Sequence, residues 1–307
     1  MAIRLNQEFD VTIGFCVKNV EGTVKAALDS LLSQDFPSNR IEILAVVGSS
    51  RDNTLAIVDS ALQRGGIAHV VLQESSGLGP ARQLVVEKSR AKYILWVDGD
   101  MVLPKSYVRK QVEFMENHPQ VGITGGKYSV RLGEGIVADL ENIVYVVDSV
   151  YGERGASKFG YLPGTEGAIL RVDATKKIGG FDMRMNGAAE DTDLAFRMKK
   201  AGWDLAVSKE VFSESTRQSL YSLWNQYLWY GSGGHFIFHK NRDSIDIWKM
   251  TPISGFLAGV LRVPAAYRLV HKKFVFLLPI HYSFKRIAWC LGFIQAHREG
   301  YGHFEAN

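Results

Sequence analysis

The stretch Tyr93-Ile94-Leu95-Trp96-Val97-Asp98-Gly99-Asp100 decides the fold. Its apolar run, Tyr93 to Val97, lacks polar alternation, which predicts a strand buried on both faces. Asp98 and Asp100 follow where that strand leaves the core, and residues two apart on an extended chain point the same way. Gly99 allows a bend and the close approach of a ligand. Two such carboxylates are typical of a site for a hard divalent cation, and an ordinary Asp-Gly turn is the alternative.

Strands and helices alternate around this stretch at short spacing. The apolar patterns predict three earlier strands, at Phe9–Val17, Ile41–Val47 and His69–Gln73. They predict helices between the strands, at Thr23–Ser33, after Asn53 to about residue 64, and at Ala81–Ser89. This order predicts an α/β fold with a mostly parallel central sheet covered on both faces. Loops at the carboxyl ends of such strands bind ligands.

The middle of the chain continues the alternation. Helices are predicted at Pro104–His118 and over 134–158, and strands at Val121–Val130 and Trp203–Val211. A further helix is predicted from the Glu190-Asp191-Thr192-Asp193 run to a stop at Gly202, with Asp191 as its N-cap. Ser222–His239 is predicted to be an aromatic helix that ends in a glycine-rich turn, Gly231 to Gly234.

Composition narrows the class of protein. The chain has 307 residues, 46% of them hydrophobic and 22% charged, which indicates a globular protein with a sizeable core. Its net charge of +4 is too small to indicate a nucleic-acid partner. Two cysteines, Cys16 and Cys290, do not make a disulfide framework and indicate a reducing compartment. The polar start, Met1 to Asp10, predicts no secretory signal.

The basic charge is concentrated in the last part of the chain. From His235 onward there are ten lysines and arginines and four acids, a net +6, while the rest of the chain carries −2. Two apolar segments there, Thr251–Val270 and Phe274–Ala296, are interrupted by arginine, lysine or histidine, so neither is a clean membrane span. Helices lying in a membrane surface fit this pattern, and packing on the domain or on a second subunit is the alternative. We therefore predict a catalytic domain over 1–235 and a membrane-associating helical segment over 236–307.

Several motifs in this order resemble inverting family 2 glycosyltransferases of the GT-A fold. The Asp98-Gly99-Asp100 run resembles the family's DxD motif. The other matching segments are Lys18-Asn19, Gly48 to Thr54, Gly77 to Arg82, Ile178 to Asp182 and Glu190 to Leu194. The resemblance covers roughly residues 9–235 and implies a Rossmann-like nucleotide-sugar-binding domain.

The resemblance also implies a set of site residues. Asp100 would be the main ligand of Mg²⁺ or Mn²⁺, Asp98 would lie near the ribose or the metal, and Asp191 would be the general base. His235 is a further candidate, either as a ligand of the metal or as a contact of a phosphate. The residues implied in binding the substrates are Lys18, Asn19, Glu21, Ser50, Asp52, Arg82, Asp98, Thr165 and Glu190. Val47 and Gly48 stand where the family usually has an acid that holds the base. Asp52 either takes that role or caps the next helix, and Arg82 either lies at the nucleotide or is a surface arginine.

The resemblance implies transfer of a sugar from a UDP- or GDP-sugar to a hydroxyl or a lipid phosphate. The basic, apolar C-terminal segment predicts a peripheral or monotopic location at the cytoplasmic face of the cell membrane. The expected acceptor is a glycan or a lipid-linked group in cell-surface glycan or lipid-linked oligosaccharide synthesis. The glycine-rich turn after Trp229 would serve as a lid over the diphosphate. Processive synthases have a Gln-x-x-Arg-Trp pattern in this region, and here Gln226 is followed by Trp229 in the place of the arginine, which argues against a processive synthase. A sugar nucleotidyltransferase and a non-catalytic nucleotide-sugar-binding protein of the membrane surface are the alternatives.

Overall fold

A central sheet of eight strands organises the part of the chain that the structure, a computed structural model, describes: residues 9–153 and 163–302. The strands are β1 Phe9–Val17, β2 Ile41–Val47, β3 Ala68–Gln73, β4 Ala91–Trp96, β5 Met101–Val102, β6 Val121–Tyr128, β7 Ile169–Arg171 and β8 Asp204–Glu214. Their order in the sheet is β3-β2-β1-β4-β7-β6-β8-β5. Strands β3, β2, β1 and β4 run parallel, whereas β7 is antiparallel to both β4 and β6, and β5 is antiparallel to β8.

Ten α-helices lie within the described residues. They are α1 Val24–Leu32, α2 Thr54–Arg64, α3 Leu78–Lys88, α4 Tyr107–Asn117, α5 Ile136–Glu153, α6 Val172–Lys177, α7 Glu190–Lys200, α8 Leu220–Lys240, α9 Pro252–Val270 and α10 Leu278–Glu299. The predicted α/β alternation is confirmed, and the first two predicted strands match β1 and β2 residue for residue. The predicted end of the 134–158 helix lies outside the described residues.

The core of the sheet forms where the sequence is most continuously apolar. All seven residues of β2 are buried, and Tyr93 to Val97 expose no more than 1% of their surface. The chain divides into two compact units, and the first contains this sheet: Met1–Lys127, Leu162–Asn186 and Leu194–Glu214. Side chains of β2, β4 and α3 pack together with Phe181 and with the buried face of α7. This packing fixes the ends of the parallel strands.

The second unit comprises Tyr128–Tyr161, Gly187–Asp193 and Ser215–Asn307. Its helices α8 and α10 cross at very short range because each presents glycine to the other. A Cβ atom at Gly231 would lie 2.0 Å from the Trp289 carbonyl oxygen, and one at Gly292 would lie 2.0 Å from that of Leu228. The predicted turn at Gly231 to Gly234 is therefore wrong. The helix continues through these residues to Lys240, and its backbone amides are used in helical hydrogen bonds.

The two units do not follow the predicted division of the chain. Residue 235 lies inside α8, which is unbroken from Leu220 to Lys240. The second unit also includes α5 and the short segment Gly187–Asp193, which come much earlier in the sequence. The assignment of 236–307 to membrane association stays a prediction.

A buried polar cluster joins α5, α8 and α10 inside the second unit. Glu141 is fully buried and accepts hydrogen bonds from Tyr227 (2.9 Å), His281 (2.7 Å) and Lys285 (2.9 Å). Burial alone would raise the pKa of Glu141, but the charge of Lys285 and the His281 hydrogen bond outweigh it and lower the pKa to about 2. Burial lowers the pKa of His281, so a neutral imidazole donates to the ionised carboxylate.

This cluster changes the interpretation of the C-terminal helices. His281 and Lys285 were expected to line the polar face of a surface helix, but they are 5% and 4% exposed and point at Glu141. Arg262 of α9 binds Asp148 of α5 in the same unit. The polar residues that interrupt the apolar segments at His281, Lys285 and Arg262 therefore bind carboxylates of α5. Part of the tail's positive charge is therefore neutralised within the fold.

Removing Lys285 tests whether this cluster holds the second unit together. Lys285→Ala leaves the buried Glu141 carboxylate without its main countercharge, so we expect it to lower the free energy of unfolding by about 3 kcal/mol. Urea unfolding measures this loss. Lys272→Ala, at an exposed lysine, is the matched control and should change it little. A loss below about 1 kcal/mol for Lys285→Ala would contradict the assignment.

Candidate active site

The end of β4 is positioned by contact between an indole ring and a glycine of β1. Gly14 pairs with Trp96 in the parallel register, and a Cβ atom at Gly14 would lie 2.5 Å from two carbons of the Trp96 ring. The ring therefore lies across bare backbone. Phe181 packs edge-on against it, with 5.5 Å between centroids and an angle of 88°. Trp96 is 1% exposed, so the residues after it leave the core at a fixed place.

The acidic turn that follows packs against the loop after β1. Asp98 and Asp100 are half-buried, and Gly99 between them is buried. A side chain at Gly99 has no room, since its Cβ atom would lie 2.8 Å from Val20 and 2.9 Å from Val17. The turn closes with a 3.2 Å hydrogen bond from the Met101 amide to the Asp98 carbonyl oxygen. The predicted pair of carboxylates at the mouth of a buried strand is thus present.

The loops after β1 and β2 are tied together by reciprocal hydrogen bonds. The Asn19 amide donates to the Ser50 hydroxyl at 3.1 Å, and the Asn19 side chain accepts from the Arg51 amide at 2.8 Å. The Glu21 amide donates to Asp52 at 3.1 Å, and the Glu21 carboxylate accepts from the Asn53 amide at 2.9 Å. These four predicted substrate-binding residues join one loop to the other. A role in binding substrate stays a prediction for them.

Asp52 also holds the start of α2. Its carboxylate accepts from the Thr54 amide at 3.1 Å, and hydrogen bonds from Thr54 and Glu21 lower the pKa of this carboxyl. This is the helix-start role expected as the alternative to holding the base. Lys18 is exposed, and its aliphatic stem lies 3.2 Å from the position of a Cβ atom at Gly48. Gly48 therefore leaves room for Lys18 where the family usually has an acid.

Arg82 is a buried cation beside the acidic turn. It is 4% exposed, so the alternative of a surface arginine is wrong. Its guanidinium lies 3.6 Å from Asp98 Oδ1 and 5.8 Å from the centre of the Trp96 ring. A buried guanidinium suits the binding of a phosphate, because it presents several fixed donors and stays charged.

The donor set fits a hard divalent cation. The oxygen ligands that Mg²⁺ and Mn²⁺ prefer are supplied by Asp98 and Asp100, which are both accessible in part and held on one tight turn. Arg82 lies on the Asp98 side of the turn. The two carboxylates can therefore hold the ion while Arg82 contacts an anionic ligand.

The predicted general base lies at the start of α7. Asp191 is half-buried, and its Oδ1 atom accepts from the Thr192 amide at 2.6 Å. The sequence predicted Asp191 as the N-cap, but the helix begins at Glu190, so Asp191 lies in its first turn. Ala189 before it has φ of 75°, a left-handed conformation that is strained for a residue with a Cβ atom. Such strain just before an acidic run is typical of a functional segment.

Asp193 was missed as a feature of this segment. It is fully buried, with the Lys240 ammonium and the Asn241 amide nitrogen each 2.8 Å from its Oδ1 atom. The end of α8 thus holds the start of α7, all within the second unit. Glu190 is also buried, at 1% exposure. The sequence signal was the second acid of the Asp191-Thr192-Asp193 run, which alone does not name a partner 47 residues away.

Two further features lie at the carboxyl edge of the first unit. A cavity of about 220 Å³ opens where β2 and β3 end, lined by Val47, Gly48, Ser49, Ser50, Leu55, Gln73, Glu74 and Ser75. Glu74 is an acid just after β3, and a hydrogen bond from the Ser76 amide lowers its pKa. Glu74 was not predicted, although an acid directly after a strand was the available signal.

Thr165 is 2% exposed, and its hydroxyl has no hydrogen-bond partner among the residues that the structure describes.

His235 belongs to the second unit. It is fully buried on α8, with Nδ1 2.6 Å from the Tyr301 carbonyl oxygen and Nε2 3.2 Å from His297 Nδ1. These neighbours are residues of the C-terminal end of α10 and the turn after it. Its role as a ligand of the donor's metal stays a prediction.

A Rossmann-like sheet that carries an acidic turn and a buried arginine at its carboxyl edge defines a domain of the GT-A class. The family described as glycosyl transferase family 2 matches residues 12–171, and glycosyl transferase family group 2 matches residues 93–296. The chain belongs to glycosyl transferase family 2 and contains a glycosyltransferase domain of the GT-A fold.

Individual relatives agree with this assignment. The chain is 23% identical to the probable glycosyltransferase YdaM of Bacillus subtilis over 67% of this chain and 50% of that protein. It is 29% identical to the poly(ribitol-phosphate) beta-N-acetylglucosaminyltransferase TarS of Staphylococcus aureus, over 33% of this chain and 18% of that one. The chain thus spans half or less of the length of these relatives.

A solved structure shares the fold. The mannosyltransferase PcManGT from Pyrobaculum calidifontis, in complex with GDP-Man and Mn²⁺, superposes with a TM-score of 0.66 at 16% identity. The match covers 94% of this chain and 87% of that one.

Adding a methyl group at Gly14 tests the placement of Trp96. Gly14→Ala forces the indole away from β1, so we expect a loss of about 1–3 kcal/mol in unfolding free energy and a shifted tryptophan emission spectrum. Gly22→Ala is the control, because a Cβ atom there meets no other atom within 4 Å. Equal stability of both variants and the wild type in urea would show that Trp96 does not depend on the bare backbone.

Proposed function

We propose that the protein is an inverting glycosyltransferase that moves a sugar from a UDP- or GDP-sugar to a hydroxyl or lipid-phosphate acceptor. The observation that carries this proposal is the Asp98-Gly99-Asp100 turn, with the buried Arg82 beside it, at the end of β4. Two carboxylates on one tight turn, with a guanidinium of α3 beside them, match the needs of a metal–diphosphate group, which carries both positive and negative charge.

The donor is proposed to bind along the carboxyl edge of the first unit. Asp98 and Asp100 would hold Mg²⁺ or Mn²⁺, which when bound neutralises charge on the leaving diphosphate. Arg82 contacts a phosphate oxygen with donors fixed by burial. The cavity at the ends of β2 and β3 supports a place for the nucleotide base, with Glu74 as the acid that the position after β2 lacks. The complex of a structural neighbour with GDP-Man and Mn²⁺ is consistent with this donor class.

The acceptor side of the reaction is assigned to the start of α7. Asp191 is proposed to accept the proton of an incoming hydroxyl as its oxygen attacks the anomeric carbon, which inverts the configuration there. A half-buried carboxylate next to a strained Ala189 is suited to this, because the surrounding structure fixes its direction. The unpartnered hydroxyl of Thr165 is a candidate contact to the sugar or the acceptor. An acceptor that is already an anion, such as a polyprenyl phosphate, needs no base.

We propose that the acceptor pathway is cell-surface glycan or lipid-linked oligosaccharide synthesis. Support comes from TarS of Staphylococcus aureus, a relative that is a poly(ribitol-phosphate) beta-N-acetylglucosaminyltransferase. A sugar nucleotidyltransferase is the weaker candidate. Such an enzyme would need a glycine-rich phosphate loop after β1, whereas Asn19, Val20 and Glu21 are bonded to Ser50, Thr54 and Asp52.

We further propose that the protein lies on the cytoplasmic face of the cell membrane through α9. Among the described helices, α9 is long and apolar enough to cross a membrane by length and composition. Its most apolar 18-residue stretch has a mean hydropathy of 1.3, and 17% of that stretch is buried. Ile253, Phe256, Leu257, Val260 and Leu261 repeat at helical spacing and are 45% to 77% exposed. Arg268 in the last turn of α9 and Lys272 and Lys273 just after it are exposed and would contact anionic headgroups.

Two aspartate variants test the proposed chemistry. Asp100→Asn removes a carboxylate of the metal site, so we expect no transfer above background with any acceptor. Asp191→Asn removes the base, so transfer to a hydroxyl should fall by about 10²–10⁴-fold while transfer to a lipid phosphate changes little. Product formation from radiolabelled UDP- and GDP-sugars, with Mn²⁺ and a membrane extract, measures both.

Asp29→Asn, at an exposed acid of α1, is the control for these variants and should retain wild-type activity. Full metal-dependent turnover by Asp100→Asn would contradict the proposed donor site. If the folded Asp191→Asn variant lost transfer activity with every acceptor, this residue would have a role other than proton removal from a hydroxyl.

Membrane binding is tested by sedimentation with anionic phospholipid vesicles. Leu257→Asp combined with Leu261→Asp places charge on the exposed face of α9, and we expect binding to weaken by more than about tenfold, because two leucines lose burial in lipid. Met183→Asp is the control at an exposed apolar residue of the first unit. Unchanged sedimentation of the α9 variant would show that this face does not contact lipid.

A further inference from the structure

Three histidines meet at the C-terminal end of α8 and α10. His235 and His239 lie one helical turn apart on α8, and His297 lies in the last turn of α10. One ring nitrogen from each lies within 4.8 Å of the other two. The set runs from the fully buried His235 through the half-buried His239 to the exposed His297, so it faces solvent on one side.

The innermost imidazole is oriented by the backbone. His235 Nδ1 lies 2.6 Å from the Tyr301 carbonyl oxygen, so this nitrogen carries the proton and donates it. In the neutral ring the proton on Nδ1 leaves the lone pair on Nε2, which points at His297. A histidine whose other nitrogen donates to a carbonyl is the arrangement that fixes metal-ligating imidazoles in proteins.

The spacing suits a small transition-metal ion. His235 Nε2 and His297 Nδ1 are 3.2 Å apart. Two nitrogens bound tetrahedrally to one zinc ion at about 2.0–2.1 Å would be about 3.3 Å apart. His239 is 4.4 Å from His235 between ring centroids and nearly parallel to His297, so a rotation of these two accessible side chains closes the set.

We propose that His235, His239 and His297 form a binding site for one Zn²⁺-like ion. Three imidazoles select borderline metals such as Zn²⁺ and Co²⁺ over Mg²⁺, which prefers oxygen. The fourth position is left to water on the exposed side. This site is separate in its ligands from the carboxylates of Asp98 and Asp100, and its existence does not depend on the proposed sugar transfer.

The ion would fasten the end of α10 to the end of α8. A Cβ atom at Gly302 would lie 2.7 Å from Phe236 Cα, so the chain after α10 already folds back tightly on α8. Lys240 and Asn241, which follow His239, hold the buried Asp193. Metal binding therefore braces the part of α8 on which the segment Gly187–Asp193 is anchored.

Titration of the tag-free protein with Co²⁺ and Zn²⁺ tests this proposal. The background carries Asp98→Asn and Asp100→Asn, which removes the carboxylate site from the measurement. We expect one equivalent of Co²⁺ with the visible absorption of tetrahedral coordination, displaced by Zn²⁺, and a higher melting temperature with Zn²⁺. His239→Ala and His297→Ala, at accessible residues, should each weaken binding by more than tenfold, and His297→Cys should restore it.

His271→Asn is the matched control, because it removes an exposed histidine outside the cluster and asparagine tolerates its φ of 51°. Circular dichroism verifies that each variant is folded. Absence of stoichiometric Co²⁺ binding in the background protein would overturn the proposal. Binding that His239→Ala and His297→Ala leave unchanged would overturn it equally, since the ion would then lie elsewhere.

Discussion

The contact between Trp96 and the bare backbone of Gly14 is the constraint on which the candidate active site depends. β4 is buried between β1 and β7, and its last side chain can lie flat only because β1 offers no side chain at that register. The chain then leaves the core at one defined point, and Gly99 lets the acidic turn pack on Val17 and Val20. Close packing of this kind transmits position well because protein interiors have little free volume. The same turn brings Asp98 to 3.6 Å from the Arg82 guanidinium, with Asp100 two residues further on.

The helices of the second unit are held together by buried charge pairs and by close packing at glycines. Its helices carry two fully buried carboxylates that pair with lysines of the same unit, Glu141 with Lys285 and Asp193 with Lys240. Buried pairs of this kind add little net stability compared with apolar packing, but they exclude alternative registers in which a charge would lack its partner. The glycines at the crossing of α8 and α10 add a second restriction, since the two helices approach so closely there that a Cβ atom at Gly231 or Gly292 would clash. The start of α7, which carries Asp191, is attached to this restricted set of helices.

Much of the first unit was predictable from sequence, for a physical reason. In β2 and β4 the apolar runs are short and continuous, so local pattern and tertiary burial agree. The position of Asp98 and Asp100 followed from the same pattern. The antiparallel direction of β7 was not predictable, since its three residues carry no signal about their partners. The reciprocal bonding of Glu21 and Asp52 was also beyond sequence, because polar loop residues look alike whether they bind a ligand or each other.

The second unit was predicted less well because its polar residues were interpreted one helix at a time. Lys285 and His281 suggested a polar helix face as long as their partner was unknown, and that partner, Glu141, lies more than a hundred residues earlier. The Gly231–Gly234 run suggested a turn because glycine is a poor helix former, but close approach to Trp289 overrides that propensity. In both cases a long-range contact reverses what the local sequence favours.

We propose that the end of β4 holds the metal and the diphosphate of the sugar donor. Crystals of the protein grown with Mn²⁺ and a GDP- or UDP-sugar, measured for anomalous scattering, test this directly. We expect a manganese peak within coordination distance of Asp98 and Asp100, with a phosphate oxygen against Arg82. A bound donor whose manganese lies elsewhere, with both aspartates turned into solvent, would contradict it.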